Sequence, residues 1–423
     1  MKRLLLILLT FSTATFAEKT DEEESTFKLG GYIKNESFFD SRQVFGVGDD
    51  LVLLYPEKKL FDAQGNDINA KAQFNTLPIE SELWLKIEGP PIKNAQSSAY
   101  IDGNFFGSVA QLSHREILNI IHLRNALFQI AWHNTDLLVG QFWHLLYILK
   151  CEPKTVGLNT GIPIEPFSRN PQFRLDQTFG PIKLLFMAAS QLDFLSDGPI
   201  GPSSTYLRNA IIPNLGARFD WHIHDHVIGV GIDFKRISPR LETNLGFKTD
   251  EGLNSFAAIA FASFHWKDLI ISNKFTYAQN GRNLSLIGGY AVHSIDPNTD
   301  KRTYTNLNVA SFWTDWQLYA SKPLQPGFFF GIIKTLGARK SILHNVTDEN
   351  GTVIDRRIYG LGTDINYVLR ASGRLTWQVK DFKLGAEIEY TRSPYGTIND
   401  CGKVINTVPV SNIRFLIALY YYI

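Results

Sequence analysis

The feature that most constrains this chain is a two-residue alternation of apolar and polar side chains, which recurs from Lys28 onward. In the segment 382–390, Phe, Leu, Ala, Ile and Tyr occupy every other position, with Lys, Gly and Glu between them. The segments 228–235 and 215–221 alternate in the same way. Because successive side chains of a strand point to opposite faces, this period predicts an all-β chain whose strands each have one apolar and one polar face.

The connections between these segments decide which β architecture fits, since a soluble sandwich would also alternate. Seven short polar connections lie at 90–91, 133–134, 180–181, 222–225, 267–268, 322–326 and 380–381. Long connections alternate with them, at 42–75, 108–116, 143–170, 196–212, 238–252, 279–303, 339–356 and 393–410. Short turns at one end and long loops at the other predict a transmembrane antiparallel β-barrel of about 16 strands.

Four tryptophans support the barrel independently, because each lies just before a short connection: Trp132, Trp221, Trp266 and Trp377. Aromatic residues collect at the membrane–water interface, so we interpret them as one girdle. The alternation slips near Asn125, which predicts a β-bulge. The segment 284–290 is a candidate hairpin arm within a loop, and the segment 257–264, apolar on both faces, is a candidate subunit contact.

The N-terminus has the pattern of a secretory signal peptide. A basic start at Met1, Lys2 and Arg3 precedes a short apolar run and a small residue at Ala17. The run is too short for a spanning helix, which needs about 20 apolar residues. We therefore expect a signal peptide at 1–17, a short acidic segment at 18–27 and the barrel at 28–423.

The connection 143–170 is the third long one and is rich in proline and glycine, so it cannot run as a regular helix or strand. It is both apolar and charged, which predicts that it packs against the barrel while facing water. We expect it to fold into the barrel mouth and narrow it. A constriction strengthens the field of its charges, and the candidate residues are Lys150, Glu152, Lys154, Glu165 and Arg169.

Charged residues of the strands are expected on the lumen face, because a cation facing lipid near the midplane would cost about 2–4 kcal/mol. Most such wall charges are expected to pair with neighbours. The charged residues of the connection 143–170 have a mild basic excess, which suggests weak anion preference. The candidates for lining the lumen are Arg174, Asp176, Arg218, Arg370 and Arg374.

The third long connection and its flanks also resemble a family. The runs VGQFWH at 139–144, NTG at 159–161 and PFSRNPQ at 166–172 are similar to the DcaP-like porins of bacterial outer membranes. This resemblance implies a trimeric, sixteen-stranded diffusion porin whose third long loop folds inward.

Other sites are weaker. The run His222, His224 and His226 invites a metal site, but a solvated turn is the preferred interpretation. Cys151 and Cys401 fall in two long connections, and a disulfide between them is possible.

No catalytic or phosphate-binding motif is found, so neither an enzyme nor a cofactor is predicted. A formal net charge of +1 gives no reason to expect nucleic acid.

The sequence therefore predicts an outer-membrane porin, a passive diffusion channel for small hydrophilic solutes with selectivity set by a loop constriction. A substrate-specific uptake channel is the alternative, and a barrel hydrolase is a more distant one. The expected partners are membrane lipid, the barrel-insertion machinery and two further copies in a homotrimer. The expected location is the outer membrane of a Gram-negative-type bacterium, reached through the Sec pathway.

Overall fold

The computed structural model describes residues 25–107, 120–349 and 351–423. The segment expected to be a signal peptide, most of the acidic segment that follows it and the second long connection lie outside the described residues. The structure is almost entirely β, which confirms the predicted fold class.

Strands account for nearly all regular structure, together with one short helix, α1 (Thr205–Asn209), and two single turns of 3₁₀ helix, Ile68–Ala70 and Gly281–Leu284. The strands are β1 (Thr26–Asp40), β2 (Val44–Val47), β3 (Val52–Pro56), β4 (Gln73–Leu77), β5 (Glu82–Glu88), β6 (Gln96–Gly107), β7 (Ile120–Ala131), β8 (Thr135–Trp143), β9 (Arg169–Phe179), β10 (Ile182–Ala189), β11 (Asn214–Ile223), β12 (His226–Ile237), β13 (Leu253–Trp266), β14 (Leu269–Gln279), β15 (Gly288–Ile295), β16 (Arg302–Leu318), β17 (Leu324–Ala338), β18 (Val346–Thr347), β19 (Val353–Asp355), β20 (Ile358–Leu361), β21 (Tyr367–Val379), β22 (Phe382–Ile398) and β23 (Val404–Tyr422).

The main sheet closes on itself as a barrel of 16 antiparallel strands, as predicted. Closure comes from the first and last strands, which pair from Tyr32 opposite Tyr422 to Asp40 opposite Arg414. On the other side of β1, β4 and β5 lie end to end and together form one barrel strand. Every strand edge in the barrel is thereby paired, as a membrane-spanning sheet requires.

The seven predicted short connections are the turns of one barrel end, and the long loops lie at the other. The four girdle tryptophans lie beside those turns and are 41–51% exposed on the outer surface. The last connection is shorter than expected. The strands β22 and β23 continue their pairing to Ile398 opposite Val404, so only 399–403 remain as a loop.

One local irregularity matches the expectation from the alternation, and another matches it in part. The pairing of β6 and β7 shifts register between Asp102 and Gly103, opposite Asn125 and Leu123, which places a bulge at the predicted site. Of the candidate arm at 284–290, only 288–290 belong to a strand, β15, which pairs with the extended end of β16 and with β20 above the barrel. In the described part of the chain, no helix has the length and apolarity needed to cross a membrane.

Alternation divides each barrel strand between an outer apolar face and an inner face covered by loops. In β23, Ile417 is 55% exposed and Leu419 43%, whereas the intervening Ala418 is wholly buried. The largest buried apolar cluster joins lumen-facing residues such as Trp313 and Phe329 to residues 143–167. The barrel interior is therefore largely packed, and the open space in it is off-centre.

Candidate functional site

The segment 144–168, called here the inward loop, leaves β8 at Trp143 and returns to the wall at Arg169, the first residue of β9. Leu145, Leu146 and Ile164 are fully buried within the barrel. The loop thus folds into the lumen, as the sequence predicted.

Lumen-facing side chains hold the backbone of the inward loop against one half of the wall. The Arg218 guanidinium donates to the carbonyl oxygen of Leu145 at 2.6 Å, and the Ser311 hydroxyl donates to that of Ile164 at 2.7 Å. A carboxylate oxygen of Glu387 accepts from the backbone N–H of Val156 at 2.7 Å. Because loop carbonyls and amides buried in a barrel need partners, these wall charges satisfy them.

One buried ionic cluster fixes the far end of the inward loop. The Glu165 carboxylate contacts the Lys274 ammonium of β14 and accepts a hydrogen bond from the indole N–H of Trp313 in β16. All three side chains are fully buried. Burial raises the pKa of Glu165 to about 7, although the Lys274 charge and the two hydrogen bonds oppose that rise.

A second segment enters the lumen that the sequence analysis did not assign there. The hairpin of β2 and β3, called here the first-loop hairpin (44–56), belongs to the first long connection. The Arg370 guanidinium donates to the carbonyl oxygens of Leu53 and Leu54 at 2.9 and 3.0 Å. Arg414 donates to that of Leu51 at 3.1 Å. Five consecutive apolar residues from Leu51 to Tyr55 were the signal, since such a run is unusual in an exposed loop.

Between these two inserted segments and the strands β5–β8 lies a cavity of about 1100 Å³. The first-loop hairpin contributes Val52 and Leu54, and the inward loop contributes Tyr147 and Leu158. The opposite wall is formed by side chains such as Tyr100. This off-centre space is the candidate functional site, because the described loop segments leave this part of the lumen open.

The cavity is lined by charges of both signs. Its carboxylates are Glu80, Glu82, Asp102, Glu152 and Asp193, and its cations are Lys86, Arg124, Arg169 and Arg282. Several have partners of opposite charge: Glu80 with Lys34, Glu82 with Arg124, Glu152 with Lys154, and Lys86 with Glu88. Paired charges largely cancel at a distance, so the groups without such partners dominate the field in the cavity.

Four lining groups form no ion pair with a Lys, Arg, Asp or Glu side chain in the described part of the chain. Asp102 binds Asn125 at 3.0 Å, and Asp193 binds Gln141 at 3.0 Å and the His122 ring at 3.1 Å. Arg282 is partly exposed and forms no ion pair among the described residues. The fourth is Arg169, whose charge interacts with both Asp102 and Asp193. The cavity thus has two carboxylates and two guanidinium groups that can act on a solute.

Arg169 is the most unusual of these groups. Its guanidinium carbon lies 4.9 Å from the centre of the Trp143 ring and 5.8 Å from those of Phe167 and Phe194. The side chain is 5% exposed, and its Nε has no hydrogen-bond partner among the described residues. Aromatic faces stabilise a cation without neutralising it, so Arg169 presents positive charge to the cavity.

The ten predicted pore residues occupy three kinds of position in the structure. Glu152 and Arg169 line the cavity. Lys150 and Lys154 are exposed, and Glu165 is an anchor of the loop. The other five occupy the wall: Arg174 pairs with Asp176, Arg218 with Asp220, Arg374 with Asp315, and Arg370 with Glu389.

The structure does not contain the disulfide that the sequence allowed. Both thiols are free: Cys151 is buried, and its sulfur lies 3.5 Å from the carbonyl oxygen of Asn273 in the wall. Burial raises the pKa of Cys151 to about 12. Cys401 is exposed in the last connection, at the long-loop end of the barrel. The inward loop is held by its wall contacts instead.

The three histidines lie at a turn of the short-turn end. His224 has a positive φ of 55° at the tip, and the Nδ1 of His226 accepts from the backbone N–H of His265 at 2.9 Å. Among the described residues, no three His, Cys, Asp or Glu side chains are grouped closely enough to hold a metal ion.

Several solved structures share this fold. The chain matches the outer membrane channel DcaP of Acinetobacter baumannii at 14% identity, over 96% of this chain and 99% of that one, with a TM-score of 0.68. It matches the anion-selective porin of Comamonas acidovorans at 8% identity, over 95% and 100% of the two chains, with a TM-score of 0.53. The trimer form of OmpT, an outer membrane protein of Vibrio cholerae, matches at 8% identity over 94% and 99%, with a TM-score of 0.54.

These similarities cover nearly the whole of each chain and therefore concern the complete barrel. At such low identity they establish the fold alone. No protein-family model matches this sequence, and no curated protein matches it. The fold is that of the outer-membrane porins.

Proposed function

We propose that this chain is an outer-membrane porin, through which small hydrophilic solutes diffuse passively. The observation that carries the proposal is the cavity of about 1100 Å³, a space lined by charges of both signs inside a closed barrel. Passive diffusion needs neither a catalytic residue nor a cofactor. The similar structures described as an outer membrane channel and an anion-selective porin support this assignment.

The proposal includes the cellular location of the chain and the orientation of its barrel in the membrane. The signal-peptide pattern at 1–17 directs export through the Sec pathway into the envelope of a Gram-negative-type bacterium. Short turns of such barrels face the periplasm and long loops face outward. The apolar alternation of β23 up to Ile423 is the pattern that the barrel-insertion machinery would bind. Assembly as a homotrimer is part of the proposal and is supported by the trimer form of one similar structure.

Selectivity follows from the loop constriction. The inward loop and the first-loop hairpin fill one side of the lumen, so a solute passes the side lined by β5–β8. There it meets Asp102 and Asp193 as well as Arg169 and Arg282. Two charges of each sign predict weak discrimination between cations and anions, rather than the anion preference that the sequence suggested.

A substrate-specific uptake channel is the second candidate, and the setting of Arg169 favours it. A cation stacked on Trp143, with an Nε that lacks a partner, is a feature of a binding site more than of a simple wall. A specific channel would show currents blocked by its solute at low concentration. A general porin would show conductance proportional to salt over a wide range.

The experiment that tests the proposal is single-channel recording from the folded, mature chain in a planar bilayer under a salt gradient. Discrete steps with a reversal potential near zero are expected. The variants Arg169→Gln and Asp193→Asn form a matched pair, since each removes one free charge of the cavity. We expect the first to shift the permeability ratio toward cations and the second toward anions, each about two- to threefold, because a unit charge ~6 Å away in water changes an ion's energy by ~0.7 kcal/mol.

Silence from protein shown to be folded would contradict the channel, and lipid and peptide hydrolysis would then be assayed. Discrete steps with the same reversal potential in both variants would support the channel, but they would show that solutes do not pass through this cavity.

A further inference from the structure

The outer surface of the barrel carries an isolated basic pair near its long-loop end. In β17, the buried residues Phe329, Gly331, Ile333 and Thr335 face the lumen, so the residues between them face outward. Lys334 is among these outward residues and is exposed. In the barrel it lies opposite Ala310 on one side and Tyr367 on the other.

The second member of the pair is Arg392 in β22. Its neighbours Thr391 and Ser393 are buried toward the lumen, which places Arg392 on the outer face. It lies opposite Leu369 and Ser411. Its Nε is buried and has no hydrogen-bond partner among the described residues. The side chain therefore has an unsatisfied donor on the outer surface of the barrel.

No carboxylate neutralises this pair on the outer face of its own strands. The strands β17, β21 and β23 contain no Asp or Glu. In β22, Glu387 and Glu389 are buried toward the lumen. Beneath Lys334 the outward residues are Ile332, Phe330 and Phe328, which form an apolar column. The two cations thus lie at the upper edge of the lipid-facing belt, where an ionic headgroup meets acyl chains.

The spacing of the pair suits a single anionic group. Tyr367, opposite Lys334, is two residues from Leu369, which is opposite Arg392. Two inter-strand spacings and one two-residue step place the two α-carbons roughly 12 Å apart. Each side chain reaches about half that distance, so both can contact a phosphate between them.

We propose that Lys334 and Arg392 bind a phosphate of the phosphorylated glycolipid in the outer leaflet, with its acyl chains against the column from Ile332 to Phe328. Arginine and lysine form charge-assisted hydrogen bonds to phosphate, and the apolar column beneath them is suited to lipid rather than to a soluble anion. This inference rests on the proposed outer-membrane placement. It does not require that the pore conducts.

The test is native mass spectrometry of the folded full chain in detergent, titrated with bisphosphorylated lipid A and, separately, with lipid A whose phosphates have been removed. The variants are Lys334→Gln, Arg392→Gln and their combination. Lys322→Gln is the matched control, because Lys322 is an exposed lysine in the turn between β16 and β17, at the opposite end of the barrel from Lys334. Folding of every variant is checked by its heat-modifiable migration on gels.

We expect a retained bisphosphorylated lipid for the parent chain and for the control. The double variant should bind at least about tenfold more weakly, and the dephosphorylated lipid should bind equally weakly to all forms. Equal binding of both lipids, or an unchanged double variant, would overturn the proposal. Loss of oligomers in the double variant without added lipid would also overturn it, by assigning the pair to a subunit contact. If the protein retains the lipid but shows no channel currents in bilayers, only the pore proposal is contradicted.

Discussion

At the scale of single residues, the lumen charges of this barrel act mainly as anchors. Arg218, Arg370 and Glu387 each satisfy a backbone group of an inserted segment. Removing one partner of such a buried contact is costly, because the other is left without a counter-charge or hydrogen bond. The cluster of Glu165 and Lys274 is the clearest case, since both side chains are fully buried.

This cluster predicts a pH-dependent stability. Burial raises the pKa of Glu165 from 4.5 to about 7, so across this window the folded protein retains a proton that the unfolded chain releases. The contribution is fully present below the unfolded value and is lost as pH rises through the folded value. Between these two values we expect the parent to lose stability relative to Glu165→Gln, by at most ~1.4 kcal/mol per pH unit.

The measurement is the free energy of unfolding in urea at several pH values, for the folded protein in lipid vesicles. Glu152→Gln is the control, because this loop carboxylate is only partly buried and contacts the Tyr147 hydroxyl and Lys154 at the cavity. A parent and a Glu165→Gln variant with parallel pH profiles would contradict the assignment.

At the scale of elements, the sequence predicted strands well and inserted segments only in part. Period-two alternation depends on each strand alone, so it identified the seven turns and the bulge at Asn125. The partners of the inward loop lie far along the chain, as Glu165 and Lys274 do, and no local pattern pairs them. The function of lumen charges such as Arg218 and Arg370 as anchors of the inserted segments was therefore not foreseen.

The position of the first-loop hairpin in the lumen was not predicted from the sequence. From this position we predict that removing the hairpin changes the conductance. Replacing 44–55 by a Gly-Ser linker removes Val52 and Leu54 from the cavity lining. We expect a larger single-channel conductance, together with a lower unfolding free energy because Leu51 and Leu53 are fully buried.

The matched control replaces the hairpin of β18 and β19, whose residues Val353 and Ile354 are exposed. Because none of the described residues of that hairpin lines the cavity, its replacement should leave conductance unchanged. An equal conductance in both variants would mean that the first-loop hairpin does not narrow the solute path.

At the scale of the whole molecule, one outward-facing patch lacks the apolar character of the belt. The Asn35 amide donates to the Thr76 hydroxyl at 3.1 Å, and the Ser37 hydroxyl lies 2.9 Å from the same oxygen. Across from Asn35 and Ser37 lie Leu419 and Ile417, in the middle of the belt. Because lipid acyl chains offer no hydrogen bonds to polar side chains, we expect another copy of this chain to cover the patch.

The proposed homotrimer thus predicts a specific interface. The combination of Asn35→Leu and Thr76→Val should lower the oligomer fraction of the folded protein in detergent, measured by sedimentation or on unheated gels. Thr314→Val is the control, since Thr314 also faces outward but lies on β16, five strands from β1. Its hydroxyl accepts from the Trp316 indole at 2.8 Å. Interhelical polar contacts in membranes contribute about 0.6–2 kcal/mol each, and three subunit contacts would multiply even this modest effect. If the control dissociates and the double variant does not, the subunits meet along β16 instead, and the patch at Asn35 faces lipid.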